Sequence, residues 1–174
     1  MTLLTLGIDI GGTKIALGLS KKNQLGLARE AFISAEGELD PKTWYRRLKL
    51  SIDALIGKDR TAFSKNGRIG LGIPGQILAS GAIGHCPNTP VLRKFNLIRQ
   101  LKKDYKIPVF ADNDANVAAL AEHQFGAGIG CSRMVYVTIS TGIGGGLIEN
   151  GKLVVGKDHV AGELGHLVIQ MDGE

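Results

Sequence analysis

The 174-residue chain is 44% hydrophobic and 21% charged, the balance of a folded globular protein, which excludes a disordered or low-complexity chain. Its net charge of +5 is spread over separated pairs, Lys21-Lys22, Arg46-Arg47 and Lys102-Lys103, expected as solvated faces and not as a nucleic-acid footprint. There is no charged-then-apolar leader and no apolar run that could cross a bilayer, so a soluble, cytoplasmic chain without a membrane partner is expected.

Leu3 to Ile10, Thr13 to Ser20 and Leu25 to Ile33 are apolar, β-favouring runs joined by short turns, and they predict an antiparallel meander. The pattern then switches to helical spacing over Pro41 to Ile56. Trp44, Leu48, Ile52, Leu55 and Ile56 share one face, and Asp40-Pro41 supplies an N-cap and first helical residue. Arg68 to Ile73 predicts a strand running into Pro74-Gly75. A helix over Asn96 to Tyr105, a strand over Pro108 to Ala111 and a helix over Asp114 to Phe125 follow. Arg133 to Ser140 and Ile143 to Glu149 predict two strands, and Asn150-Gly151 a hairpin turn into Lys152 to Val155. The order predicts an α/β fold with a mixed sheet. Cys86 and Cys131 are far apart, without CxxC spacing, and are expected as reduced thiols.

The 25 glycines are clustered, which marks tight turns and close backbone approaches. Asp9-Ile10-Gly11-Gly12-Thr13-Lys14 is not a Walker loop, which needs a following helix. A glycine hairpin can still aim backbone N–H groups and the Thr13 hydroxyl at phosphate oxygens, with Asp9 holding a Mg²⁺-bound water or facing the transferred phosphoryl group. A plain capped hairpin is the alternative. Ser140 to Gly146 repeats the arrangement: Leu6 to Ser20 and Val135 to Glu149 are both strand, glycine turn, strand. Its four glycines in five positions make a poor strand, so close backbone approach in a second phosphate loop is expected.

Asp112-Asn113-Asp114-Ala115-Asn116 stands where a strand meets an alanine-rich helix. A carboxylate there is favoured by the helix dipole and can take a proton from an attacking hydroxyl. One polar residue suffices for a helix cap, and this segment has four. In Ala161-Gly162-Glu163-Leu164-Gly165-His166, Glu163 and His166 can converge on one ligand from a helix face or a glycine-broken turn. A lone histidine is more often structural.

Together these motifs resemble the ROK family of bacterial glucokinases, N-acetylhexosamine kinases, fructokinases and sugar-responsive repressors. The matching stretches are Asp9 to Lys14, Gly72-Ile73-Pro74-Gly75, Pro87-Asn88, Asp112 to Asn116, Thr141 to Gly146 and Ala161 to His166. The resemblance implies an α/β actin-like ATPase (ribonuclease H-like) fold, with mixed sheets, flanking helices and a sugar in the cleft. Residues 1–112 are expected as the N-terminal lobe and 113–174 as the start of a second, incomplete lobe. Asp114 is implied as the base that activates the sugar hydroxyl. Gly75, Asn88, Asn113, Glu163 and His166 are implied at the sugar. Asp9, Gly11, Gly12, Thr13 and Lys14, with Thr141 and Gly142, are implied at the phosphates of ATP, which Mg²⁺ accompanies.

Family members usually continue past His166 into a cysteine-rich zinc motif. The resemblance makes His166 a candidate Zn²⁺ ligand, whose cysteine partners Cys86 and Cys131 do not supply. It also implies an uncovered apolar surface on the second lobe. Glucose phosphorylated by ATP, at O6, is the expected reaction. N-acetylmannosamine, N-acetylglucosamine or fructose is the alternative substrate, and a non-catalytic sugar-binding remnant the alternative class. Family repressors carry an N-terminal helix-turn-helix, for which a first strand at Leu3 leaves no room. The expected partners are a sugar and ATP, with a homodimer suggested by the family.

Overall fold

The computed structural model describes residues 3–21, 29–34, 40–78, 80–86, 89–140 and 142–170. The chain divides into two compact units, Met1–Asp114 and Ala115–Glu174, the division falling two residues after the expected one.

In the first unit five strands form a mixed sheet in the order β3-β2-β1-β4-β5. They are β1 (Leu4–Ile10), β2 (Lys14–Lys21), β3 (Arg29–Ser34), β4 (Gly67–Ile73) and β5 (Val109–Asn113). The first three form the antiparallel meander read from the sequence, though residues 25–28 of the expected third strand lie outside the described residues. β4 then pairs parallel with β1, and β5 parallel with β4.

Strand alternation decides which face is covered. Leu4, Leu6, Ile8 and Ile10 of β1 are buried, as are Ile15, Leu17 and Leu19 of β2 and Ile69, Leu71 and Ile73 of β4. Onto these strands pack α1 (Pro41–Ile56), α2 (Arg60–Asn66) and, beside β5, α3 (Leu97–Tyr105). The result is one continuous apolar core. Each fully buried large side chain in it contributes about 1.5–3 kcal/mol.

The Asp40 carboxylate accepts from the N–H of Lys42 at 3.0 Å and of Thr43 at 3.2 Å, capping α1 as expected. All five predicted inward residues of α1 are buried, and Tyr45 joins them. Its hydroxyl donates to Asp104 Oδ2 at 2.8 Å, which ties α1 to α3. Nearby, Asp53 accepts from the Tyr105 hydroxyl at 3.1 Å, from Lys49 at 2.7 Å and from Arg60 at 2.6 Å. α2 was not legible in sequence: Phe63 alone of its seven residues is buried, so no periodicity marks it. Asn96 is not the first residue of α3 but its N-cap, accepting from Arg99 N at 2.9 Å.

The second unit contains α4 (Asp114–Phe125), which starts at the last residue of the first. Its antiparallel sheet, in the order β6-β7-β8, is built from Arg133–Ile139, Ile143–Glu149 and Lys152–Val154. Asn150 and Gly151 both have positive φ, 51° and 71°, the conformation a tight two-residue hairpin requires. Alternate residues of β6 face solvent: Val135, Val137 and Ile139 are 62%, 51% and 80% exposed. Among the described residues no helix is long and apolar enough to cross a membrane.

Candidate functional site

The first unit gathers its polar residues where parallel strands β1, β4 and β5 end. Carboxyl ends of parallel strands are where ligands bind in open α/β sheets, because the connections there diverge and leave a crevice. Asp9 is the penultimate residue of β1 and lies in register with Gly72 of β4, which in turn pairs with Asp112 of β5. Gly72 is buried. A Cβ on it would stand 3.4 Å from Asp9 Oδ1 and 3.6 Å from the Cα of Asp114. The two carboxylate-bearing residues therefore flank the same glycine. Sequence reasoning did not single out Gly72, although it belongs to the Gly72-Ile73-Pro74-Gly75 motif.

Asp9 remains solvent-exposed as a residue, yet partial burial of its carboxyl pushes the pKa above the ordinary aspartate value. The positive charge of Lys14 opposes that shift. The turn that carries Lys14 is tight: Gly11 N–H donates to Lys14 O at 2.9 Å, and a Cβ on Gly11 would stand 2.9 Å from that same oxygen. Only glycine fits at 11. Gly12, Thr13 and Lys14 are exposed at the tip.

β5 runs straight into α4 without an intervening loop, so Asp112 and Asn113 end a strand and Asp114 begins a helix. The Asp112 carboxylate accepts from Asn113 N at 2.8 Å. Asn113 Nδ2 donates to the carbonyl of Gly75 at 3.4 Å, which joins the two expected sugar residues Gly75 and Asn113. Asp114 occupies the first turn of α4, where the helix dipole favours a negative charge. Asn88, expected at the sugar, lies outside the described residues.

In the second unit Gly144, Gly145 and Gly146 are strand residues of β7, within the expected Ile143 to Glu149 strand, although four glycines in five positions were expected to make a poor strand. Their missing side chains make room for protein. A Cβ on Gly146 would stand 2.5 Å from Ala119 Cβ, and one on Gly144 3.3 Å from Ala115 Cβ, both on α4. A Cβ on Gly145 would stand 2.5 Å from Leu164. Among the described residues of this hairpin, Gly142 is the glycine left open to a ligand. Ser140 N–H donates to Gly142 O at 2.9 Å, and open space surrounds the Cβ position of Gly142. Thr141 lies outside the described residues.

Leu164–His166 form a single 3₁₀ turn. Gly162 and Gly165 let this segment lie against β7, where a Cβ on either would strike the backbone oxygens of Gly145 or Ile143. The turn brings His166 Nε2 to 3.9 Å from Glu163 Oε2, so the two expected sugar residues do converge. His166 is 85% exposed, and among the described residues no three metal-ligating side chains cluster. Cys86 is buried in the first unit, and Cys131 sits in the loop after α4, where its carbonyl meets His123 Nε2 at 2.8 Å. One histidine beside one carboxylate does not make a tetrahedral zinc site.

Known proteins match this chain over nearly its whole length. The family model described as ROK family matches residues 5–174. The glucokinase of Halalkalibacterium halodurans is 35% identical over 97% of this chain and 51% of its own length. The N-acetylmannosamine kinase of Salmonella arizonae is 36% identical over 98% of this chain and 56% of its own. Among solved structures, a ROK family glucokinase from Streptomyces griseus, in complex with glucose and AMPPNP, superposes with a TM-score of 0.76. It is 31% identical, covering 98% of this chain and 52% of that one. The chain thus spans about half the length of the relatives it matches, and its fold is the actin-like ATPase fold of those neighbours. With that match running from residue 5 to residue 174, the chain belongs to the ROK family.

Proposed function

We propose that this chain carries the catalytic half of an ATP-dependent hexose kinase, with glucose as the first substrate to test. One observation supports the reading most: Asp9 and Asp114 flank Gly72 at the carboxyl ends of three parallel strands, with Asn113 fixed beside them. Phosphoryl transfer needs little covalent help from the protein. It needs a positioned nucleophile and control of charge on the transferred group.

Asp114 is the base that takes the proton from the attacking sugar hydroxyl. Asn113 and the Gly75 backbone hold neighbouring hydroxyls, joined in that role by Asn88, Glu163 and His166. The Gly11 to Lys14 turn presents N–H groups, a hydroxyl and a cation to the phosphates of ATP, and Thr141 and Gly142 are the phosphate-binding residues of the second unit. Magnesium, when bound with the nucleotide, would neutralise phosphate charge. Asp9 and Thr13 offer the hard oxygen donors it prefers, directly or through water. No step is assigned to zinc.

The test is Asp114→Asn in the full chain. General-base help is worth roughly 10²–10⁴ in rate, so kcat should fall by that factor while sugar binding, measured by calorimetry, persists. Normal glucose phosphorylation by the variant would remove Asp114 from the role.

A second substrate reading rests on the similarity to an N-acetylmannosamine kinase, 36% identical, which stands beside the 35% of the glucokinase and does not separate the two. A competition panel of glucose, N-acetylmannosamine, N-acetylglucosamine and fructose separates the two by kcat/KM. A panel with binding but no turnover would identify a sugar-binding protein that is not an enzyme.

A further inference from the structure

Behind the Asp9–Asp114 site lies a thiol to which that site gives no role. Cys86 is fully buried, and its Sγ–H donates to the carbonyl of Pro74 at 3.1 Å. Pro74 opens a tight three-residue turn in which Gly75 N–H returns to Ile73 O at 2.8 Å. A Cβ on Gly75 would stand 3.0 Å from Cys86 Cβ and would strike the His85 carbonyl, so the two backbones press together and only glycine fits. The contact is held from outside by Gln76 N–H to His85 O at 3.1 Å, Gly84 N–H to Gln76 O at 2.8 Å and the Ile77–Ile83 bridge. From the far side of the turn, the Gly75 carbonyl accepts from Asn113, the neighbour of Asp114.

We propose that Cys86 is a positioning residue for the phosphotransfer site: its thiol sets the Pro74–Gly75 turn, and the turn sets Asn113. The inference rests on the kinase reading for its purpose, but the coupling from Cys86 to Asn113 stands on geometry alone. At 3.4 Å the Asn113 bond is long, so a small displacement of the Gly75 carbonyl is enough to lose it. Burial raises the thiol pKa, against the backbone N–H of Thr89 and the charge of Arg93, which lower it, while the charge of Asp114 adds to the rise. The thiol therefore stays protonated and available as a donor near neutral pH. A nucleophilic role does not suit a fully buried, protonated sulfur.

The experiment compares Cys86→Ala, Cys86→Val and Cys86→Ser in the full chain. The first two remove the donor, one leaving a gap and the other filling it, and serine restores a donor. One readout is the side-chain amide ¹H–¹⁵N signal of Asn113, which needs no turnover. The other is the split between kcat and KM for sugar and for ATP. The Asn113 signal should move in the alanine and valine variants and return in the serine variant. With it, kcat/KM for sugar should fall by about fivefold, the size of one weak hydrogen bond, with KM for ATP unchanged.

An Asn113 signal unmoved in both donor-less variants would overturn the proposal, as would a serine variant no better than valine. If alanine unfolds the chain, the valine–serine pair decides. A wild type that phosphorylates no hexose would sink the kinase reading alone, because the Asn113 signal still reports the coupling.

Discussion

Asp9 and Asp114, distant in sequence, meet across a single glycine: the Cβ that Gly72 lacks would lie 3.4 Å from Asp9 Oδ1 and 3.6 Å from Asp114 Cα. Both are ordinary contact distances, so a methyl group fits there without displacing backbone. Gly72→Ala should therefore fold normally, with a melting temperature within a few degrees of wild type, ~1 kcal/mol or less. The added methyl occupies the space between the two carboxylate-bearing residues and should lower kcat/KM by roughly tenfold or more. Steady-state kinetics beside a thermal melt checks both halves. An active Gly72→Ala enzyme would show that nothing has to pass between Asp9 and Asp114.

The glycines of the second hairpin divide by what faces them. Gly146→Ala drives a methyl into Ala119 of α4, and overpacking of this kind costs about 1–3 kcal/mol. Gly142→Ala enters open space and should leave the urea midpoint unchanged. Its effect, if 142 meets a phosphate, belongs in KM for ATP. Denaturation of both variants with ATP kinetics separates the structural glycine from the ligand-facing one.

Asp9 carries a pH signature. Its folded pKa is raised, so the folded state prefers the protonated acid. The stabilising contribution is complete below the unfolded value of 3.8 and is lost as pH rises through the folded value. At pH 7 the ionised Asp9 thus costs stability, and Asp9→Asn should raise the urea midpoint there. The gain should shrink toward pH 3. The same variant should lose phosphotransfer, a stability-for-function exchange common at active sites. Equal midpoint changes at both pH values would refute the burial argument.

Tyr45 and Tyr105 respond at the other end of the scale. Burial, with the carboxylates of Asp104 and Asp53 beside them, raises both pKa values above the ordinary 10.0. The unfolded chain releases these protons first, so their stabilising contribution is full below pH 10 and declines as pH climbs toward the folded values. Unfolding free energy measured at pH 8 and pH 10.5 should drop. The drop should be smaller in Tyr105→Phe, which has no phenolic proton to lose.

Several parts of this protein could be read directly from the chain. The α1 face of Trp44, Leu48, Ile52, Leu55 and Ile56 follows from helical spacing, and Asp40-Pro41 marks where it starts. Asn150-Gly151 gave its hairpin because few other dipeptides accept two positive φ values. Local chemistry sufficed in each case. α2 escaped because a helix that buries only Phe63 leaves no periodic trace. The Gly144–Gly146 tract pointed to a ligand because a missing side chain says that something comes close, and not what.

The sequence by itself therefore determined the elements other than α2, the glycine turns and the chemistry on offer: carboxylates at 9 and 114, an amide at 113, a Glu–His pair three residues apart. Spacing and propensity act over a few residues, and those features are local. Only the tertiary structure decided that Asp9, Gly72 and Asp114 share one end of a sheet, that Gly75 takes the Asn113 amide, and that Cys86 stands behind them. Those contacts come from parallel pairing of β1, β4 and β5, whose register is set by burying alternate Leu and Ile residues across more than a hundred positions of chain.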